Sequence, residues 1–179
     1  MTYKQALTDE MTRLGKCRAV RFLGYNVKYG SRFYGTLAKV PRSRCIETPV
    51  AENLIMGLAM GMSLEGYKPI VCFERMDFML VAADSIINHL SALPKLSGGQ
   101  FDFPVTIRCC VGNDHPLDPG IQHKRDYSTL FSQNTSINMW RLHDIKDIHR
   151  AYARLPANNE PKIYVEYREF YNVEEEGGK

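Results

Sequence analysis

No C-x-x-C pair, no long apolar run and no dense basic stripe occur in this sequence of 179 residues, and each absence removes a class of function. The five cysteines, Cys17, Cys45, Cys72, Cys109 and Cys110, are odd in number and lack zinc-ligand spacing; several sit in apolar runs that read as buried strands. They are expected to be reduced core residues. No apolar segment approaches the roughly 18 to 20 residues a membrane span needs, and the opening M-T-Y-K-Q-A-L-T-D-E-M is charged and periodic where a signal core would be apolar. A cytoplasmic protein with no membrane partner is the expectation. The 23 basic and 20 acidic residues leave a formal charge of +3 scattered along the chain, so nucleic acid is not an expected partner.

What the sequence does contain is enough apolar material, 44%, for one sizeable core, and one domain is the default at this length. Ala6, Leu7, Met11 and Leu14 recur at helical spacing behind a capping residue, Thr2, and predict an opening amphipathic helix. A strand is expected over 19–23. The stretch 24–35 holds three glycines and four aromatics among polar residues, which suits a long ordered loop lining a pocket. Residues 50–64 predict a helix capped by Thr48 with Pro49 in its first turn. Gly57 and Gly61 would then share a face, either letting another backbone come close or merely weakening the helix.

Further along, a strand at 70–73 precedes a long predicted helix over 76–93 that ends near Pro94. Gly98 and Gly99 mark a turn, 105–111 a buried strand and 112–120 a loop. Strands at 137–142 and 163–167 flank a helix over 144–155, and 173–179 reads as a solvated tail. Helices alternating with short apolar strands imply an α/β fold, an open, mostly parallel sheet with helices on both faces. Ligands in such sheets sit beyond the carboxyl ends of the strands, which directs attention to the loops after Leu23, Phe73 and Val111.

An ordered series of segments resembles the beta subunits of 2-oxo acid dehydrogenases, within the thiamine-diphosphate-dependent family that includes transketolase. E-T-P-V-A-E at 47–52 is similar to that family's D-T-P-I-S-E, and G-Y-K-P-I-V-C-F at 66–73 to its G-x-R-P-I-V-E-F. M-D-F-M-L-V-A-A-D-S-I-I-N at 76–88, then S-G-G-Q-F at 97–101 and P-V-T-I-R at 104–108, continue the match; I-Q-H at 121–123 and V-E-Y-R-E-F-Y at 165–171 extend it more weakly. The resemblance spans residues 1–172 as one pyrimidine-binding domain.

The resemblance implies thiamine diphosphate as cofactor, with Glu52 facing N1′ of its aminopyrimidine and sharing a proton with it. A carboxyl group in an apolar pocket suits that work because burial favours its protonated form. Read without the family, Glu52 is simply an acid in the first turn of a helix, favoured there by the helix dipole. Phe78 corresponds to the aromatic residue that packs on the pyrimidine, against the plainer reading of a core phenylalanine spaced with Val81 and Ala82. His123 corresponds to a histidine of the active-site channel, against an ordinary surface histidine. His115 and its neighbours lack a recognised tetrahedral ligand set, so no metal ligands are assigned.

Departures from the family pattern matter equally. G-Y-N-V at 24–27 stands where relatives read G-E-D-V or G-E-E-V, which removes a carboxylate. Glu74 and Arg75 replace residues that are usually apolar, and read as a solvated ion pair. The G-D-G motif of the diphosphate site is absent, so magnesium and diphosphate are expected on an alpha-type partner subunit. A second, C-terminal transketolase domain would come from a separate chain, in a complex that includes a homo-oligomer of this one. The implied function is a cofactor-activating enzyme subunit for decarboxylation or acyl transfer from a 2-oxo acid, inactive alone. The alternatives are a non-catalytic assembly or regulatory subunit, or half of a split transketolase-like enzyme.

Overall fold

Six strands run parallel in one sheet of order β2-β1-β3-β4-β6-β5 in the computed structural model, which describes residues 1–115 and 118–174. In chain order they are β1 (Val20–Gly24), β2 (Cys45–Glu47), β3 (Lys68–Phe73), β4 (Thr106–Val111), β5 (Asn138–Leu142) and β6 (Lys162–Tyr167). Strand residues alternate between two apolar cores, as the two-residue period of a strand requires. Ile70, Cys72 and Tyr164 pack toward α1 (Tyr3–Gly15) and α5 (Ile145–Tyr152). Val71, Phe73 and Val165 pack toward α2 (Glu52–Leu64) and the segment 76–90. The parallel α/β architecture is therefore as expected from the alternation of elements.

Thr2 caps α1 in a reciprocal capping box, its hydroxyl accepting from the Gln5 N–H while the Gln5 side chain accepts from the Thr2 N–H. The helix 50–64 begins two residues later than expected, at Glu52, and Thr48 does not cap it. The residue before a proline is held extended, and the Thr48 N–H donates to the Gly24 carbonyl at 2.9 Å, continuing the pairing of β2 with β1. The helix expected over 76–93 is broken into a 3-10 turn at Met76–Leu80, a π turn at Ser85–Leu90 and a short α3 (Leu93–Leu96), with Pro94 in the first turn of α3. Helical spacing survives, since Met76, Met79, Ala82, Ile86 and Leu90 are all buried. Strand β2 and α4 (Ser128–Asn134) were not anticipated.

Val173 and Glu174, the first residues of the expected tail, are tied to the start of α1: Tyr3 N–H donates to the Val173 carbonyl, and Thr2 forms an antiparallel bridge with Glu174. Residues 175–179 of that tail, and 116–117 of the loop after β4, lie outside the described residues. Inside the α1 core, Arg108 forms a fully buried bidentate pair with Glu166 at 2.7 and 3.0 Å. Tyr171 also donates to Glu166, and Arg108 donates to Thr36 and stacks on Phe33. Paired and hydrogen-bonded in this way, the two charges pin the loop 33–36 to the sheet.

Candidate functional site

The loops after β1, β2, β3 and β4 meet at the carboxyl edge of the sheet. Gly24 opens the first of them at φ 148°, where a Cβ would lie 2.6 Å from the Cys72 carbonyl, so glycine is required for the chain to pass β3. Asn26 follows in the left-handed region at φ 56°. The Glu47 carboxylate accepts from four successive backbone N–H groups, Asn26 (2.6 Å), Val27 (3.2 Å), Lys28 (2.7 Å) and Tyr29 (3.3 Å). Glu74 holds the same loop from β3, accepting from Asn26 Nδ2 and Ser31 Oγ. Glu74 and Arg75 thus do not form the expected ion pair: the first binds the loop, and the second lies over the Tyr34 ring at 5.3 Å.

Held by these bonds, Tyr25 is buried and its hydroxyl donates to Glu52 Oε1 at 3.4 Å. Burial raises the Tyr25 phenol well above its ordinary value, and the Glu52 and Glu74 carboxylates push it the same way. The Tyr25 ring meets Phe78 edge-on at 6.2 Å, and Phe78 in turn meets His123 edge-on at 5.5 Å. The three residues singled out from sequence therefore stand in one row, Glu52 at its buried end, Phe78 half-buried in the middle and His123 at the far end, with Tyr25 as the link.

Phe78 and His123 open into a cavity of about 440 Å³ that also takes in Asp77, Gln122, Arg125 and Tyr127. Glu52 does not line it. A second cavity of about 420 Å³ lies across the segment 121–125 and includes Gly112, His115, Lys124 and Glu169. Among the described residues, no group of three or more His, Cys, Asp or Glu side chains is placed to hold a metal.

Five buried side-chain polar atoms lack a hydrogen-bond partner among the described residues, and four of them, Thr48 Oγ1, Arg75 Nη1, Asp77 Oδ2 and His123 Nδ1, belong to this edge. Buried polar atoms are almost always satisfied, so their concentration here sets this edge apart from the rest of the described structure. Sequence reasoning did not find Glu47, Asp77 or the link through Tyr25. Glu47 opens the quoted E-T-P segment and Asp77 sits within M-D-F, but only the folded loops show what each faces.

Residues 1–165 match the family model described as transketolase, pyrimidine binding domain. The chain is 38% identical over 174 residues to the pyruvate dehydrogenase E1 component subunit beta of Cyanidium caldarium, an alignment covering 95% of this chain and 52% of that protein. The corresponding subunit of Chaetosphaeridium globosum is 30% identical over 179 residues, covering 96% of this chain and 52% of its own length. Among solved structures, a split gene transketolase, an inactive beta4 tetramer, has a similar fold at a TM-score of 0.74 and 16% identity, over 98% of this chain and 53% of its own. The chain spans about half the length of these relatives.

Proposed function

Because the chain belongs to the transketolase pyrimidine-binding domain family, we propose that it is the pyrimidine-binding subunit of a thiamine-diphosphate-dependent enzyme, activating the cofactor for decarboxylation or acyl transfer from a 2-oxo acid. The observation that carries this reading is the row Glu52–Tyr25–Phe78–His123 at the carboxyl edge of the sheet. When bound, thiamine diphosphate supplies a nucleophilic carbon and an electron sink for bond cleavage beside a carbonyl.

The residues present fit such a group. Phe78 offers an aromatic surface at the mouth of a cavity, and Glu52 offers a buried carboxylate that accepts, among the described side chains, from the Tyr25 hydroxyl alone. In this reading Glu52 holds and exchanges a proton with the aminopyrimidine, Phe78 packs on that ring, and Tyr25 fixes the Glu52 carboxylate. His123 faces the incoming substrate.

Magnesium and diphosphate would be held by an alpha-type partner subunit, and a separate C-terminal transketolase domain would complete the complex. Surface chemistry supports a partner. Val50, Leu54, Leu58 and Leu64 are exposed on or beside α2, together with Leu80 and Val81. Among the described residues, α2's own backbone aside, nothing comes within 4 Å of a Cβ placed on Gly57 or Gly61, which leaves this face open to the backbone of another chain.

A second reading, a non-catalytic assembly subunit, is favoured by Tyr25 standing where the resemblance implies an acid. One experiment separates the two: exchange of the thiazolium proton, followed by NMR in the complex with the diphosphate-binding partner. Glu52→Gln is expected to slow exchange and turnover by about two orders of magnitude or more, the range for lost acid–base catalysis. Wild-type rates in that variant would leave the assembly reading in its place.

A further inference from the structure

We propose that the cavity between the C-terminal end of α5 and strands β5 and β6 binds a nucleoside monophosphate, its base on Trp140 and its phosphate on Lys162, Arg150 and Arg154. The proposal does not depend on the cofactor reading above.

This cavity has a volume of about 610 Å³, within the range of small-ligand sites. It lies away from the row that ends in His123, because Lys162 is the first residue of β6 and stands at the amino edge of the sheet. Trp140 pairs with Tyr164 in the register of β5 with β6, and Lys162, two residues before Tyr164, shares its face. The Tyr164 hydroxyl donates to the Ala151 carbonyl at 2.5 Å, so this part of the floor is already satisfied. Trp140, on the edge strand, remains 40% exposed.

Lys162 is only 9% exposed, yet its ammonium makes no hydrogen bond among the described residues. Its ion-pair partner Glu160 stands 3.7 Å away, beyond hydrogen-bond length, on a side chain that is itself exposed. Nζ is not sealed in, and opens into the cavity. Arg150 and Arg154, exposed on the rim, make no hydrogen bond and no ion pair among the described residues. Their place at the end of α5 suits the helix dipole, which accounts for neither Lys162 nor Trp140.

Three cations against one carboxylate leave a surplus of two positive charges, matching a phosphate monoester near neutral pH. Guanidinium groups bind phosphate through paired N–H donors, and an ammonium adds a point charge. The exposed indole offers a stacking surface to a planar base. The depth of Lys162 calls for a ligand narrow enough to reach the floor, which the surface of a folded partner is not.

Trp140 is the single tryptophan of the chain, so its fluorescence reports this cavity. AMP is expected to quench it saturably with a midpoint below about 1 mM, while inorganic phosphate and adenosine each bind about tenfold more weakly or worse by calorimetry. Arg150→Ala with Arg154→Ala should weaken AMP by about tenfold or more and leave Tm unchanged, since neither side chain has a partner among the described residues. Arg42→Ala with Arg44→Ala removes the same charge beside β2, at the opposite edge of the sheet, and should leave AMP affinity at the wild-type value. Trp140→Ala, followed by calorimetry, should lower AMP affinity to that of inorganic phosphate. An absence of saturable quenching, phosphate binding as tight as AMP, or equal losses from the two arginine pairs overturns the proposal. So does AMP affinity retained in Trp140→Ala or in Arg150→Ala with Arg154→Ala, or a fall of several degrees in the Tm of that arginine pair.

Discussion

Four consecutive peptide N–H groups converge on the Glu47 carboxylate, and the loop they belong to carries Tyr25 against Glu52. Hydrogen bonds to a charged acceptor contribute more than neutral ones, and an amide at this position could serve them only with one neutral oxygen. Glu47→Gln is therefore expected to cost about 1.5–3 kcal/mol, seen as a lower denaturant midpoint at unchanged m-value. That Glu52, Phe78 and His123 lie near one another was foreseeable from the sequence because they stand in ordered motifs of a family. Glu47 was not, because its work is done through bonds to backbone 18 to 21 residues away, which residue type does not encode. Tyr25 was legible only as a substitution, since its contact with Phe78 joins the loop after β1 to the turn after β3.

Among the elements, α2 has two unlike faces. Ile55, Met56 and Ala59 are buried with β3, while Leu54 and Leu58 remain exposed beside the open surface of Gly57 and Gly61. An apolar face of this kind drives association. Sedimentation of the chain, alone and with the proposed diphosphate-binding subunit, is expected to show species larger than a monomer. Leu54→Glu with Leu58→Glu should abolish them and leave Tm nearly unchanged, because neither side chain supports this chain's own core. A monodisperse wild-type monomer that ignores the partner would contradict this. The same helix shows where periodicity fails as a guide: it found the apolar spacing but misplaced the start, because pairing of the Thr48 backbone with Gly24 outweighed the capping preference of its side chain. The segment 76–90 kept its spacing while its hydrogen bonds tightened to 3-10 and widened to π, and β2, at three residues, is too short to display a period.

At the scale of the whole molecule, both cores bury groups that ionise only in alkali. Burial pushes the Cys72 and Cys110 thiols up to about 12 from an ordinary 9.0, and raises the phenols of Tyr3, Tyr152, Tyr164 and Tyr171 as well. Each is neutral when protonated, so the folded chain holds these protons more tightly than the unfolded chain does. Their contribution to stability is complete below the unfolded pKa and is lost as pH rises through the folded one. Tm is accordingly expected to be insensitive to these groups up to about pH 9 and to fall progressively above it. A Tm flat to pH 11 would show that they ionise in the folded state without penalty.

The strand order has a consequence for synthesis. β6, which follows β5 in the chain, lies between β4 and β5, and among the described residues β5 has β6 as its sole strand partner. Until residues 162–167 have left the ribosome, β4 presents an unpaired edge and β5 has nothing to join. A nascent chain stalled before that point carries an open template for strands of its neighbours on the same messenger, and it depends on chaperones for as long as the stall lasts.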